Sequence, residues 1–548
     1  MTSDARSHLL SAGAVMAAGT VLSRLTGFVR AALLLAVLGK SLDADLFTTA
    51  NTLPNSLYIL IAGGVFNVVL VPQLVRAMRT DADGGEAFAQ RVLSLGALVL
   101  GGATAVLMVA VPLIARLAFD GALFGPALGS QLESAYALMW WCMPQVFFYG
   151  AFVLVGQILN ARERFGPMMW APIVNNLLAC VVLGGYAWAF GSSNGSDGFT
   201  GTQEAVLGGG ATLGIAVQTL VLVPYARAAG FRFRLRTDLR GVGLGRTIRL
   251  GAWTVAFVIA NQVAYFVVTR LATGSSTAAA LNGGEASGVA AYQSAFLVSQ
   301  VPHAVVTVSL VTATMPMLSR LAADGRLDDV RSEIVSTVKV VLVAIAPIAT
   351  AIACLGTTVA AVLFSYGALD GNTASIGYTV AAFAPGLLLF TVHYSVLRGF
   401  YAQEDTRTPF LVQLVVSGAN IAAAVLLTRG APTDQVATRL ALAYGAAYLF
   451  GTTVSTFALG RRLGGGGLID RAMTGFLVRL TAACAVSAVV MLITLAALAR
   501  LDVDPAGDTG AVVALVAAGS TGAVAYLLAA RLLRLREVRE LLRAVARR

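Results

Sequence analysis

The stretch Val92-Leu-Ser-Leu-Gly-Ala-Leu-Val-Leu-Gly-Gly-Ala-Thr-Ala-Val-Leu-Met-Val-Ala-Val-Pro-Leu-Ile114 contains no charged residue. A helix rises about 1.5 Å per residue, so roughly 20 apolar residues cross the hydrocarbon core of a bilayer. Residues 340–355, 380–390 and 511–528 are also free of charge. Across its 548 residues the chain is 57% hydrophobic and 12% charged, about half the charge of a soluble protein. The apolar runs show no alternation at period two, which excludes a β-barrel. The fold class is therefore all-α: a polytopic membrane protein.

Working outward from that stretch gives about fourteen transmembrane helices, over 9–38, 53–77, 92–118, 135–159, 168–190, 205–226, 248–272, 289–318, 335–364, 376–398, 409–427, 437–459, 476–498 and 511–533. The net charge of +11 sits in the short connections. Even-numbered loops are rich in arginine: Arg76, Arg79 and Arg91, then Arg162 and Arg164, then seven arginines from Arg227 to Arg249. Arg320, Arg326 and Arg331 follow, then Arg398 and Arg407, then Arg461, Arg462 and Arg471, and finally the basic tail from Arg531. Odd loops hold acids instead, such as Asp120, Glu133, Asp197, Glu204, Glu285 and Asp370; loop eleven, with Arg429 and Arg439, fits least well. By the positive-inside rule both termini are cytoplasmic in a multi-pass cell-membrane protein. These cations are topology signals, so no nucleic-acid partner is expected.

Pro72-Gln-Leu-Val-Arg76 matches Pro316-Met-Leu-Ser-Arg320, and Ala161-Arg-Glu-Arg-Phe-Gly-Pro167 matches Ala402-Gln-Glu-Asp-Thr-Arg-Thr-Pro409. The near-equal offsets predict a six-helix unit used twice in the same orientation. The expected domains are an N-lobe over 1–228, a C-lobe over 229–463, two extra helices over 464–534 and a basic tail over 535–548.

Three histidines and no His/Asp/Glu cluster argue against a metal or hydrolytic site. No phosphate-binding loop is present. Neither a cofactor nor an enzymatic activity is expected. The four cysteines lie far apart inside spans and read as small core residues. The unusual residues are charges within spans. Arg24 and Arg30 lie in the middle of span one, where a charge costs about 2.5–3.5 kcal/mol. Six residues apart, they point about 240° apart on an ideal helix, so one face holds both only if Gly27 distorts it. Guanidinium forks suit phosphate oxygens and keep their proton. The arginines are thus either an anion site or structural groups bonded to carbonyls or to Asp45. Asp45 reads as a helix N-cap, a partner of Lys40, or a gate residue. Arg270, near the end of span seven, either joins the same cavity or reaches to the surface. Pro54, Gly63 and Gly64 in span two and Pro302 in span eight are candidate hinges.

Ser23-Arg-Leu-Thr-Gly-Phe-Val-Arg30, Ala44-Asp45-Leu-Phe and Leu53-Pro54-Asn55 resemble the N-terminal signature of the MurJ/MviN lipid II flippases of the MOP exporter superfamily. Leu159-Asn-Ala-Arg-Glu-Arg-Phe165, Ala171-Pro-Ile-Val-Asn-Asn176 and Gly399-Phe-Tyr-Ala-Gln-Glu-Asp405-Thr-Arg-Thr-Pro409 continue the likeness in order, and the forms around Asn51 and Gly63 resemble the actinobacterial branch. The resemblance implies two six-helix lobes (MOP/MATE-like) about a cationic cavity, plus two C-terminal helices that form a groove for a lipid tail. It implies transport of lipid II, a polyprenyl-pyrophosphate glycolipid, to the outer leaflet for peptidoglycan and cell-wall biogenesis and cell shape, with membrane lipids and cell-wall synthesis proteins as partners. Arg24, Arg30 and Asp45 fall on the family's span-one arginines and span-two acid. The sequence departs from the family at Ala31, Tyr58 and Ile59, and 296–300 of span eight carries no arginine. The competing readings are another MOP exporter (an O-antigen or teichoic precursor flippase or a drug exporter), an intramembrane transferase, and a non-transporting cell-wall scaffold. A drug exporter would hold buried acids rather than buried arginines, and a transferase would need a His or an acid pair near one face.

Overall fold

A computed structural model describes residues 3–60, 77, 83, 85–192, 195–236, 244–465, 467–505 and 507–539. These residues are helical almost throughout, and no strand occurs among them. By contacts the chain divides into two units, Met1–Gly283 and Gly284–Arg548.

The first unit contains α1 (Ser3–Leu38), α2 (Leu42–Tyr58), α3 (Glu86–Val109), α4 (Val111–Ala118), α5 (Gly129–Cys142), α6 (Gln145–Ala161), α7 (Gly166–Phe190), α8 (Gly201–Glu204), α9 (Gly210–Leu220), α10 (Leu222–Ala228) and α11 (Leu244–Asn282). The second contains α12 (Val289–Pro302), α13 (Val308–Ala323), α14 (Leu327–Phe364), α15 (Ala374–Ala402), α16 (Arg407–Thr428), α17 (Val436–Arg462), α18 (Arg471–Ala499) and α19 (Asp508–Leu532). Among the described residues, 13 stretches are long and apolar enough to cross a membrane. They match every expected span except 53–77, of which α2 shows only the start; residues 61–76 lie outside the described residues.

Proline sets the breaks within spans. Span three divides because Pro112, which has no N–H to donate, opens α4. Span four divides between α5 and α6 at Met143-Pro144. Some helices outrun the bilayer: α14 has 38 residues, about 57 Å against a hydrocarbon core of about 30 Å. Its first turns carry Asp328, Asp329 and Arg331 and extend into water.

In the first unit α1 packs along α7, and α2 packs on α5, α6 and α11. The seventh expected span, α11, thus shares contacts with α2 and α4 of this unit. In the second unit α15 packs between α14 and α17, while α18 and α19 pair and lean on α14. A buried cluster that includes Val338, Leu342, Phe400, Phe476 and Leu480 joins α14, α15 and α18.

The two sequence-similar stretches at the ends of α6 and α15 adopt the same turn. Glu163 and Glu404 are left-handed, with φ 60° and 57°. Arg164 N donates to Leu159 O and Asp405 N to Phe400 O, with shorter loops from Glu163 to Asn160 and Glu404 to Tyr401. This paired bonding closes a helix C-terminus around a left-handed residue. In the second unit the turn is fastened by Asp405. Its carboxylate accepts from Arg407 N (3.0 Å), Thr408 N (3.0 Å) and Thr408 Oγ1 (2.6 Å), and meets Arg462 of α17 at 2.7 Å. Burial acts to raise the carboxyl's pKa, but the Thr408 bonds, the Arg462 charge and the Arg407 N–H outweigh it and hold the group below the usual 3.8. A depressed carboxylate adds stability above its unfolded pKa, and the contribution is lost as pH falls through the folded value. Asp405→Ala is expected to destabilise the purified protein by about 1–2 kcal/mol at pH 7, with the difference shrinking as pH falls through the depressed folded value. Equal thermal midpoints of the two proteins at pH 7 would contradict this role.

Candidate functional site

Span one is a single helix that runs unbroken through Gly27. Arg24 and Arg30 therefore stay about 9 Å apart along the axis and about 120° apart around it by the shorter way. The face toward α7 is marked by small residues. A Cβ on Gly19 would meet the Trp170 indole at 3.0 Å, and one on Gly27 would lie 3.6 Å from Asn176. Asn176 of α7 donates to Ser23 O at 3.0 Å and to Thr26 Oγ1 at 3.1 Å. Small residues permit close approach and the amide ties the helices, as is usual within membranes. Val21, Leu22, Leu25 and Val29 form an uncovered apolar stripe on α1. Helical spacing puts Arg24 at one edge of that stripe and Arg30 beyond the other. Arg24 is exposed, whereas Arg30 is half-buried and within electrostatic reach of Tyr149 of α6 and Cys180 of α7. Neither arginine makes a hydrogen bond or ion pair with a described residue, which leaves both forks open to an anion.

The other two expected site residues lie around the junction of α2, α4 and α11. Asp45 is not the helix cap: α2 begins after Ser41, so Asp45 sits within the first turn, beside the positive end of the helix dipole. It is 0% exposed and its Oδ2 accepts from Ser276 Oγ of α11 at 2.6 Å. The neighbouring Asp43 accepts from Gly198 N at 3.1 Å and so pins the 195–200 segment over α2. Arg270 donates from Nη1 to the Arg116 carbonyl near the end of α4, where unpaired carbonyls favour a cation. Thr273 Oγ1 accepts from Asp120 N at 3.1 Å on the same side. The structure thus ties both residues to α11: Asp45 of α2 is held by Ser276 of that helix, and Arg270 of that helix is held by a carbonyl of α4.

The candidate hinges differ in kind. Pro54 is buried inside α2, and the helix widens to a π-type turn at Ile59-Leu60. Gly63 and Gly64 lie outside the described residues. Pro302 closes α12 and is followed by a π-turn over His303–Thr307. Such widened turns loosen the hydrogen-bond ladder and often occur at functional sites. A third widened turn, Ala205–Gly209, leads into α9 at a run of glycines. His303 shares a hydrogen bond with Thr391 Oγ1 (3.0 Å) and His393 one with Ser455 Oγ (3.1 Å). Their rings pack with Phe390, Tyr394 and Tyr448.

The family resemblance implies a groove for a lipid tail at the C-terminal helices, but the residues themselves do not mark its lining. Beside α18 the second unit opens into a groove of about 460 Å³, lined by Val338, Leu342 and Ala346 of α14, by Val392 and Val396 of α15, and by Leu477 and Leu480 of α18. Its few polar liners are threonines and Cys484, and no charged residue lines it among those described. An empty apolar groove of this size accommodates a stretch of hydrocarbon chain.

Known proteins match this architecture. The family model described as "Lipid II flippase MurJ" matches residues 34–503. The probable lipid II flippase MurJ of Rhizobium meliloti (strain 1021) is 26% identical over 446 residues, covering 80% of each chain. That of Vibrio cholerae serotype O1 is 27% identical over 428 residues, covering 76% of each. Among solved structures, a lipid II flippase MurJ in an inward closed conformation superposes with a TM-score of 0.71 at 16% identity, over 95% of this chain and 99% of that one. An inward-facing multidrug resistance MATE transporter of the MOP superfamily gives 0.62 at 12% identity, over 80% and 95%. At those identities the two structures speak for the fold alone. The family match, continuous across most of the chain, places it: the chain is a multi-pass membrane transporter, not an enzyme, and belongs to the MurJ family of lipid II flippases.

Proposed function

We propose that this chain carries lipid II, a polyprenyl-pyrophosphate glycolipid, from the inner to the outer leaflet of the cytoplasmic membrane by alternating access. The observation that carries the reading is the family match over residues 34–503. The geometry supplies two elements that such a substrate needs. Arg24 and Arg30 offer guanidinium forks that no described residue engages, within a spanning helix, and the groove beside α18 offers an apolar bed for the tail. A diphosphate in hydrocarbon without fixed donors is prohibitive in energy, and arginine supplies donors without a proton to lose. Asp45, held by Ser276, and Arg270, held by Arg116 O, then set the pose of α11 against α2 and α4, and Pro54 and Pro302 serve as hinges. This reading assigns six spans to each of two lobes and adds the last two helices for the tail. The MATE likeness is one of fold, and the charges within span one favour an anionic lipid over a cationic drug.

In this reading both termini are cytoplasmic, and the basic tail is available to cell-wall synthesis proteins. A reporter fused after Gly195 is expected to read outside and one fused after Arg548 inside; the reverse pattern would overturn the orientation. The function itself is tested by complementation. Expression in a strain depleted of its own lipid II flippase is expected to restore growth and cell shape. A chain that reaches the membrane at normal levels without rescue would contradict the proposal.

A further inference from the structure

Arg398 reads in the sequence as one more cation at the end of span ten, but the structure puts it inside α15, four residues before Ala402. That is about 6 Å from the helix end, close enough for the side chain to reach outward to water. The guanidinium instead packs on aromatic rings, 4.3 Å from the centre of the Tyr394 ring four residues before it and 5.8 Å from that of Tyr401 three residues after it. Arg398 is half-buried and its Nε is fully enclosed without a hydrogen-bond partner. No described carboxylate pairs with it, although the nearby Asp405 pairs with Arg462. On the next element, His303 of the π-turn packs edge-on against the Tyr394 ring, 5.0 Å away at 85°, and is within electrostatic reach of Arg398. Thr391 completes the pocket wall through its bond to His303.

A half-buried cation with an enclosed Nε and no counter-charge among the described residues is costly unless its donors meet an anion at some stage of its work. The aromatic faces stabilise the cation while leaving its in-plane N–H groups unspent. Val392 and Val396 of α15 line the tail groove, whereas Arg398, about 200° around the helix from Val396, faces the α12–α13 side. Residues 296–300 of that neighbouring span carry no arginine.

We propose that Arg398, cradled by Tyr394 and Tyr401 beside the His303 turn, is a binding residue of the second unit for a phosphate oxygen of the lipid-linked diphosphate. This rests on the lipid-diphosphate reading above. Tyr394 acts as a positioning residue: it fixes the plane of the guanidinium and thereby the direction of its fork.

The test uses the full chain in detergent and measures binding of undecaprenyl diphosphate, undecaprenol, inorganic pyrophosphate and phosphatidylglycerol. Arg398→Gln is expected to weaken undecaprenyl diphosphate binding roughly tenfold or more while leaving undecaprenol unchanged. Pyrophosphate is expected to compete with the lipid diphosphate in the wild type and less well in the variant. Arg398→Lys keeps the charge without the fork and should fall between; it decides the matter if the Gln variant is unstable. Tyr394→Leu should lose part of the affinity and Tyr394→Phe none. Unchanged diphosphate binding in a folded Gln or Lys variant would overturn the assignment of Arg398 alone. Loss of phosphatidylglycerol binding equal to the loss for undecaprenyl diphosphate would show a general phospholipid site and overturn it too. A wild type that binds undecaprenol as well as undecaprenyl diphosphate would instead bring down the functional reading on which the assignment stands.

Discussion

Arg30→Ala is expected to abolish complementation while the protein reaches the membrane at wild-type levels. Arg30 is half-buried in the middle of a continuous span, and no described carboxylate or carbonyl engages it. Placing an arginine there costs about 2.5–3.5 kcal/mol even on the lenient insertion scale. Removing it should therefore relieve the fold rather than damage it, and a loss of activity then reports on function. Arg24→Ala is expected to act in the same direction. Because Arg24 lies about 120° away on the same helix, the two forks cannot approach one phosphate from one face, and the variants are not interchangeable. Lysine at either position should rescue poorly, since an ammonium lacks the bidentate geometry. The measurement is growth of a flippase-depleted strain together with quantified membrane levels. If both Ala variants support growth, the arginines are structural and the anion site lies elsewhere.

Which parts of this arrangement the sequence made legible follows from the physics. Length and lack of charge fix a span without reference to its neighbours, so the spans were readable from residues such as 92–114. The angular separation of Arg24 and Arg30 was readable as well, because helical geometry is local. The role of Asp45 was not. Ser41 ends the preceding turn and α2 starts directly after it, so Asp45 falls one turn inside the helix and its partner, Ser276, is 231 residues away. Asn176 stood out as part of a motif, but its use as a strut to Ser23 and Thr26 depends on how α7 meets α1. Arg398 looked like a loop charge because its last helical turn and its aromatic cradle are set by tertiary packing. The resemblance implied a groove, but its lining was unreadable in the residues for a similar reason. Ile334, Val338, Leu342 and Ala346 recur every four residues along α14, the same pattern that a lipid-facing stripe would show.

That groove supports the second large effect. Ala346 is a buried residue of the cluster that walls the groove and borders its open volume, so Ala346→Trp is expected to fill that volume with an indole. The site is apolar throughout, with threonines and Cys484 as its polar liners, so hydrocarbon is the occupant it favours. A tail excluded from the groove moves into detergent or lipid that is equally apolar, so what is lost is packing rather than transfer from water. Affinity for the lipid is expected to fall roughly tenfold, about 1.4 kcal/mol. The same substitution at Leu426, an uncovered position on α16 away from the groove, serves as control and should leave affinity unchanged. Binding of undecaprenyl diphosphate to the two purified variants separates the outcomes. Because the groove takes the tail and not the head group, Ala346→Trp should weaken undecaprenol to the same degree, whereas the arginine variants should not. Wild-type affinity for both lipids in a folded Ala346→Trp protein would mean that the tail stays in the bilayer throughout and that the groove is a packing defect of the second unit.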